Sequence, residues 1–303
     1  MDKLKTDFLQ NCPFLDSGGT AAEHHSRENG EYDLTRVDVP IPRNEREIYM
    51  LQTLDRGLAI MKYLAINNSA SVSEIANVFA IPKSTASRIV STLAHHDMAC
   101  QRDSDKRYKL GVGVMMFGSQ MLNENRLLEE YRPLMRQVME ITGEMVHLAG
   151  WYGKRVYTLD SLRGKEHASM RNIAMPGMPV SMHSASVGKL MLAFAPDNIR
   201  EEMLASIEYP SYTSNTITDP EVLRNELYNI REQGYAVERE EIHQRVFSVA
   251  IPVFDHQGQV RFALALTSGR NILTPQEKID YYLRVMEQCA DKMKRKINSG
   301  SSI

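Results

Sequence analysis

Between Pro82 and Leu93 the chain sets Lys83, Ser84, Thr85, Ser87, Arg88, Ser91 and Thr92 among Ala86, Ile89, Val90 and Leu93. At helical spacing the polar set falls on one face and the apolar set on the other. Short hydroxyls and two cations on one face suit phosphate oxygens and base edges. Arg88 can pair with a phosphate or span guanine O6 and N7. Further cations, Arg102, Lys106, Arg107 and Lys109, surround the polar run Asp103-Ser104-Asp105. At a hairpin tip they would meet backbone phosphate or a minor groove. A third feature is Ser184-Ala185-Ser186-Val187-Gly188, which opens an apolar helix. The N–H groups of such a helix start, including those of Ser186 and Val187, make a seat for a carboxylate. Ser184 either joins that seat or serves only as the helix N-cap.

Catalytic and metal chemistry find little support. His147, His167, His183, His243 and His256 are dispersed and make no HExxH. Ser184 has no GxSxG elbow around it, and nothing juxtaposes Glu238, His183 and Ser248. Cys12, Cys100 and Cys289 are odd in number and widely spaced, so free thiols are expected rather than disulfides or a zinc site. No catalytic residue, metal site or cofactor is predicted.

These residues need elements to position them. Residues 48–66 carry Leu51, Leu54, Leu58, Met61 and Leu64 as one apolar stripe, a first helix. Ser71-Val72-Ser73-Glu74 reads as a capping box opening a second helix over residues 72–79. Pro82 suits the first position of a third helix, which runs to about His95. Two short strands around the turn 103–106 then form a hairpin. Three helices and a basic hairpin, in that order, make a winged helix-turn-helix that reads double-stranded DNA. A winged helix serving as a protein-interaction module is the competing use.

Beyond Gly113 the pattern is mixed. Residues 115–142 are predicted as two helices broken near residues 123–125, with Pro133 near the start of the second and Gly143 closing it. Strands are expected at 145–151, 154–161 and 179–183. Helices follow at 184–195, 197–207 and 219–233, the last capped by Thr218 with Glu221 and ended by Gly234. A hairpin of 247–254 and 259–267 and a long helix from the box Thr274-Pro275-Gln276-Glu277 complete an α+β domain. Met145, Met170, Met175, Met178 and Met182 fill core or line an adaptable apolar pocket.

The predicted organisation is an extension at 1–45, a DNA-binding domain at 46–112, a linker helix at 113–126, a second domain at 127–298 and a tail at 299–303. A chain of 303 residues accommodates two domains. No run of about 18 apolar residues exists and the first residues lack an apolar signal core, so a cytoplasmic protein without membrane contact is expected. Residues 46–112 hold nine Lys/Arg against six Asp/Glu, +3 on a chain of net charge −2. A basic module is thus carried by an acidic remainder. With so few cations, paired half-sites and a dimer must supply affinity.

Several motifs together resemble the IclR family of bacterial transcriptional regulators. They are Leu54-Asp55-Arg56-Gly57-Leu58, Ile81-Pro82-Lys83-Ser84-Thr85, Tyr108-Lys109-Leu110-Gly111, His183 through Lys189, Gly234-Tyr235-Ala236-Val237-Glu238 and Ala250 through Asp255. The resemblance spans about residues 50–297. It implies a GAF-like domain binding a small organic or aromatic acid, and a homodimer, commonly a dimer of dimers, on a palindromic or pseudo-palindromic operator. A regulator of a metabolic, catabolic operon is expected. The alternative is a DNA-binding regulator whose second domain only oligomerises. The resemblance also places Glu238, Ser248, Ala265 and Thr267 in the effector pocket. The family typically has Asp at 238, often Cys at 248 and Ser at 265, and commonly Gly at 245 where this chain has Arg. Losing a hydroxyl at Ala265 predicts an effector less polar or larger than a two- or three-carbon keto acid.

Overall fold

The computed structural model describes residues 51–124, 126–164, 173–269 and 272–297. They divide into two compact units, 51–124 and 126–297. The expected extension at 1–45 and tail at 299–303 lie outside the described residues, as does Met170.

In the first unit α1 (Gln52–Asn67), α2 (Val72–Val78) and α3 (Lys83–His95) precede the antiparallel strands β1 (Ala99–Gln101) and β2 (Tyr108–Leu110). The capping box is present at α2: Ser71 Oγ accepts from Glu74 N at 3.2 Å, and Glu74 Oε2 accepts from Ser71 N at 2.7 Å. Pro82 is the N-cap of α3, one position outside the predicted first turn. Ile60, Leu64, Ile75, Phe79, Ala86, Ile89 and Val90 form the buried centre of the three helices. α4 (Val114–Glu124) follows the hairpin directly and belongs to this unit.

The second unit is built on a five-stranded antiparallel sheet. α5 (Arg126–Thr142) leads into β3 (Met145–Tyr152) and β4 (Arg155–Leu162). Next come α6 (Ser186–Ala193), α7 (Asp197–Ser206) and α8 (Pro220–Gln233). β5 (Ala236–Arg239), β6 (Phe247–Phe254), β7 (Val260–Ser268) and α9 (Gln276–Ile297) complete it. The strand order is β4-β3-β7-β6-β5.

The side-chain period of two divides this sheet into unlike faces. Val146, Leu148, Leu264, Leu266, Val249 and Ile251 fill one face together with Tyr131 and Met135 of α5 and Met286 and Met293 of α9. The other face is a row of alanines, Ala149, Ala263, Ala265, Ala250 and Ala236, packed with Leu190 and Met191 of α6. Their short side chains let α6 lie close to the sheet. A Cβ added to Gly188 would fall 2.1 Å from the Ser181 carbonyl oxygen, so only glycine permits the 181–188 turn to fold this tightly.

Several local expectations differ from the structure. Residues 179–183 form no strand; Pro179 makes a single bridge to Tyr157 before the chain turns. The helix expected at 184–195 starts at Ser186, with Ala185 as N-cap, so Ser184 is not its cap. Asp219, not Thr218, caps α8, accepting from Glu221 N and Val222 N. Pro133 lies inside α5 rather than near its start. The strand β5 carries too short an alternation to be read from sequence.

Candidate functional site

Two surfaces carry polar chemistry. On α3, Lys83, Ser84, Ser87, Arg88 and Ser91 are exposed and Thr85 is half-buried. Thr92 Oγ1 donates to the Arg88 carbonyl at 2.9 Å, an interaction within the helix. The wing cations divide by role. Lys106 and Lys109 are exposed. Arg107 is half-buried: its guanidinium pairs with Glu74 at 2.8 Å and donates to the Ser69 carbonyl at 3.0 Å. Arg102 pairs with Asp105 at 2.6 Å and donates to Ser69 Oγ at 3.1 Å. These two arginines therefore lash the wing to the start of α2. Glu74 holds both its helix cap and Arg107, and those bonds keep its carboxyl below the usual range.

The second surface is a cavity of about 110 Å3 in the α+β unit. It forms where α6 begins, over the end of the sheet that follows the alanine row. Thr267, Ser248 and Glu238 stand side by side on β7, β6 and β5 in one cross-strand register. All three line the cavity with Ser186 and Val187 of α6. Five of the seven residues expected there thus meet. Ser184 does not: it is fully buried and its hydroxyl lies 2.6 Å from Ser181 Oγ. Because α6 begins two residues later than the sequence pattern indicates, Ser181 and Ala185 line the cavity in its place. Ala265 is buried in the alanine row beneath α6 and does not line it. Arg245 is exposed and stays outside the lining; it adopts a φ of 59°, a conformation that favours glycine.

Hydroxyl directions follow from the network. Ser248 Oγ lies 2.9 Å from the Leu266 carbonyl, which can only accept, so its proton goes there. Ser248 then accepts from Ser186 Oγ at 2.7 Å and Thr267 Oγ1 at 3.0 Å. His183 lies 3.0 Å from the Pro210 carbonyl through Nε2, which must donate, and its Nδ1 accepts from Ser181 Oγ at 3.2 Å. No hydrogen bond joins His183 to Ser248 among the described residues; the hydroxyl that His183 meets is that of Ser181.

Among the described residues the cavity lining holds no lysine or arginine. Burial, reinforced by the Glu241 charge, pushes the Glu238 carboxyl up to about 8, so at neutral pH it is a protonated donor. In the sequence His147 is one of several dispersed histidines. Register places it on β3 opposite Ala265, and it lines the cavity at 4% exposure. Burial pushes it down to about 4, so it is neutral. Tyr212 and Thr158 also line the cavity; no local motif marks either. Behind the wall Lys189, 1% exposed, pairs with Glu241 at 2.6 Å and with Glu226 at 3.5 Å. No group of three or more potential metal ligands occurs among the described residues, and no described helix is long and apolar enough to cross a membrane.

Comparison with known proteins bears on both surfaces. Residues 53–103 match the IclR helix-turn-helix domain, and residues 119–295 match the bacterial transcriptional regulator IclR C-terminal domain. The chain is 30% identical over 217 residues to the HTH-type transcriptional regulator BhcR of Paracoccus denitrificans, covering 72% of this chain and 77% of that one. The crystal structure of the Thermotoga maritima IclR is 32% identical, with a TM-score of 0.65, covering 82% of this chain and 99% of that one. An IclR homolog from Microbacterium hydrocarbonoxydans, complexed with 4-hydroxybenzoate, shares the fold at 24% identity, a TM-score of 0.66, and 82% and 100% coverage. With a helix-turn-helix unit at 53–103 and an α+β effector-type domain at 119–295, the chain belongs to the IclR family of bacterial DNA-binding transcriptional regulators.

Proposed function

We propose that the protein is a ligand-responsive regulator of a metabolic, catabolic operon whose effector is a small organic carboxylate bound in the α6 cavity. One observation carries this: the cavity opens on the first turn of α6, where the N–H groups of Ser186 and Val187 have no acceptor within the helix. Beside them Glu238 is a protonated donor. Among the described residues, an anion meets dipoles and neutral donors here. A cavity of about 150 Å3 accommodates benzene; at about 110 Å3 this one is smaller, so it suits a short acid as it stands and must widen to take one that carries a ring. The Microbacterium homolog is complexed with a ring-bearing acid, 4-hydroxybenzoate.

On the DNA side, Lys83, Ser84, Thr85, Ser87, Arg88 and Ser91 form the reading face. Lys106 supports it from the wing, and Arg102 and Arg107 act by holding the wing. Leu51, Leu54, Met115, Met116, Phe117 and Met121 are all exposed on this unit, an apolar surface suited to pairing two copies on a pseudo-palindromic operator. A dimer of dimers and a cytoplasmic location complete the proposal.

A thermal-shift screen of the full chain against carboxylic acids tests the reading. At least one acid raises the melting temperature of the wild-type protein and fails to do so with Glu238→Ala. If no acid shifts the transition, the second unit is not a sensor.

A further inference from the structure

We infer that His147 selects the effector: the cavity takes a hydroxy acid whose hydroxyl lies remote from its carboxylate and pairs with the His147 imidazole. The inference rests on the carboxylate seat at α6 and adds the other end of the ligand.

His147 is nine-tenths buried and lines the cavity, and its buried Nδ1 has no hydrogen-bond partner among the described residues. Buried polar groups without partners cost stability and are uncommon, so one that lines a ligand cavity points to a contact the ligand supplies. Its strand neighbours do not supply it in this structure. Met145 and Ala149 flank His147 on the same face of β3, and Ala265 opposite it has no polar side-chain atom. Ser161, its partner on β4, has a buried hydroxyl that is also without a partner. A neutral imidazole offers one N–H donor and one acceptor. A hydroxyl, donor and acceptor at once, meets a ring nitrogen in either tautomer, a carboxylate meets only one that carries the proton, and a methyl group meets neither.

Sheet geometry sets the spacing. Ser186 is tied to β6 through Ser248 at 2.7 Å, so the carboxylate seat stands over β6. His147 is on β3, with β7 between them. Two inter-strand steps separate the two sites by about 10 Å at the backbone. A 2-hydroxy acid, whose two groups share neighbouring atoms, cannot engage both. An acid carrying the hydroxyl across one ring, or at the far end of a comparable chain, can.

The test uses three acids that differ only in the hydroxyl: 4-hydroxybenzoate, 2-hydroxybenzoate and benzoate, titrated calorimetrically into the full chain. The 4-isomer is expected to bind roughly tenfold or more tighter than the other two, the loss that follows when a buried polar group stays unpaired. In His147→Phe the 4-isomer falls to the level of benzoate while benzoate is unaffected. Ligand-free His147→Phe melts no lower than wild type, because it loses an unpartnered nitrogen. Equal binding of the three acids by wild type, or a preference that survives in the variant, overturns the role of His147 while leaving the carboxylate seat intact. A variant that melts well below wild type shows that the imidazole has an internal partner and overturns it too. If none of the three binds at millimolar concentration, the seat itself fails and the inference with it.

Discussion

Lys189→Met is the substitution whose outcome the structure fixes most closely. The ammonium is 1% exposed and lies 2.6 Å from Glu241 Oε1. Glu241 Oε2 has no partner among the described residues, and the other bond to this carboxylate is a long one from Arg239 N, 3.4 Å. Removing the lysine strands a buried carboxylate, which costs about 3–5 kcal/mol. For a unit of this size that lowers the melting temperature by roughly 6–20 °C. Burial already raises the Glu241 carboxyl from 4.5 against the opposing pull of Lys189, so without the lysine it rises further. Its folded form then favours the proton more than its unfolded form does. The deficit is therefore smallest near pH 4.5 and grows as pH rises towards the folded-state value. The double variant Lys189→Met/Glu241→Leu should recover most of the loss, since an apolar pair of similar volume replaces both charges. Scanning calorimetry of wild type, both single variants and the double, between pH 5 and 8, measures this. A single variant as stable as wild type at pH 7.5, or a double variant no better than Lys189→Met, refutes the assignment of this pair as the support behind the cavity wall.

Three further outcomes follow from the same contacts. Glu238 has a folded-state value of about 8 against 4.5 ordinarily, so its contribution is complete below about pH 4.5 and is lost as pH rises to about 8; Glu238→Gln should flatten that part of the stability–pH curve. Gly188→Ala sets a Cβ 2.1 Å from the Ser181 oxygen. It should cost about 1–3 kcal/mol in thermal melts and abolish acid binding, because Ser181 and Ser186 must separate. Glu74→Ala removes the α2 capping box and the anchor of Arg107. Chemical denaturation should register a loss of about 1 kcal/mol, mostly from the cap, since the Arg107 pair is partly exposed and adds little.

The DNA-binding unit was legible in the sequence because its signals are local. A capping box, a helical stripe and a polar turn each lie within a few residues, and the family motifs then fixed their order. The roles of Arg102 and Arg107 were not legible. Each is a cation in a wing, and only the approach of Ser69 and Glu74 from 33 or more residues upstream shows them to be anchors. In the second unit the hairpin of β6 and β7 follows from alternation, but β5 is four residues long and its identity comes from pairing with β6. Glu238, Ser248 and Thr267 were found through family resemblance, and the structure explains them as one cross-strand row. Ser184 and Ala265 were misplaced for different reasons. The helix starts two residues late because the 181–185 turn is held by its own hydroxyl network, and Ala265 lies one pair further along the strand, beneath α6. His147 lies on β3, a strand apart from that row. A lone histidine in an apolar strand gives no local sign of the cavity that β7 and α6 build around it.

The central claim is that an acid in the α6 cavity alters operator binding. Because coupling between two sites is reciprocal, it can be measured from both ends. Operator duplexes are first selected from random DNA with the full chain. Their affinity is then measured with and without saturating acid, and the affinity for the acid with and without operator. Each ligand should change the affinity for the other by the same factor, about 5- to 150-fold, and Glu238→Ala should remove the acid effect while leaving the selected operator bound. An acid that occupies the cavity yet changes neither operator affinity nor transcription in a purified system would contradict it.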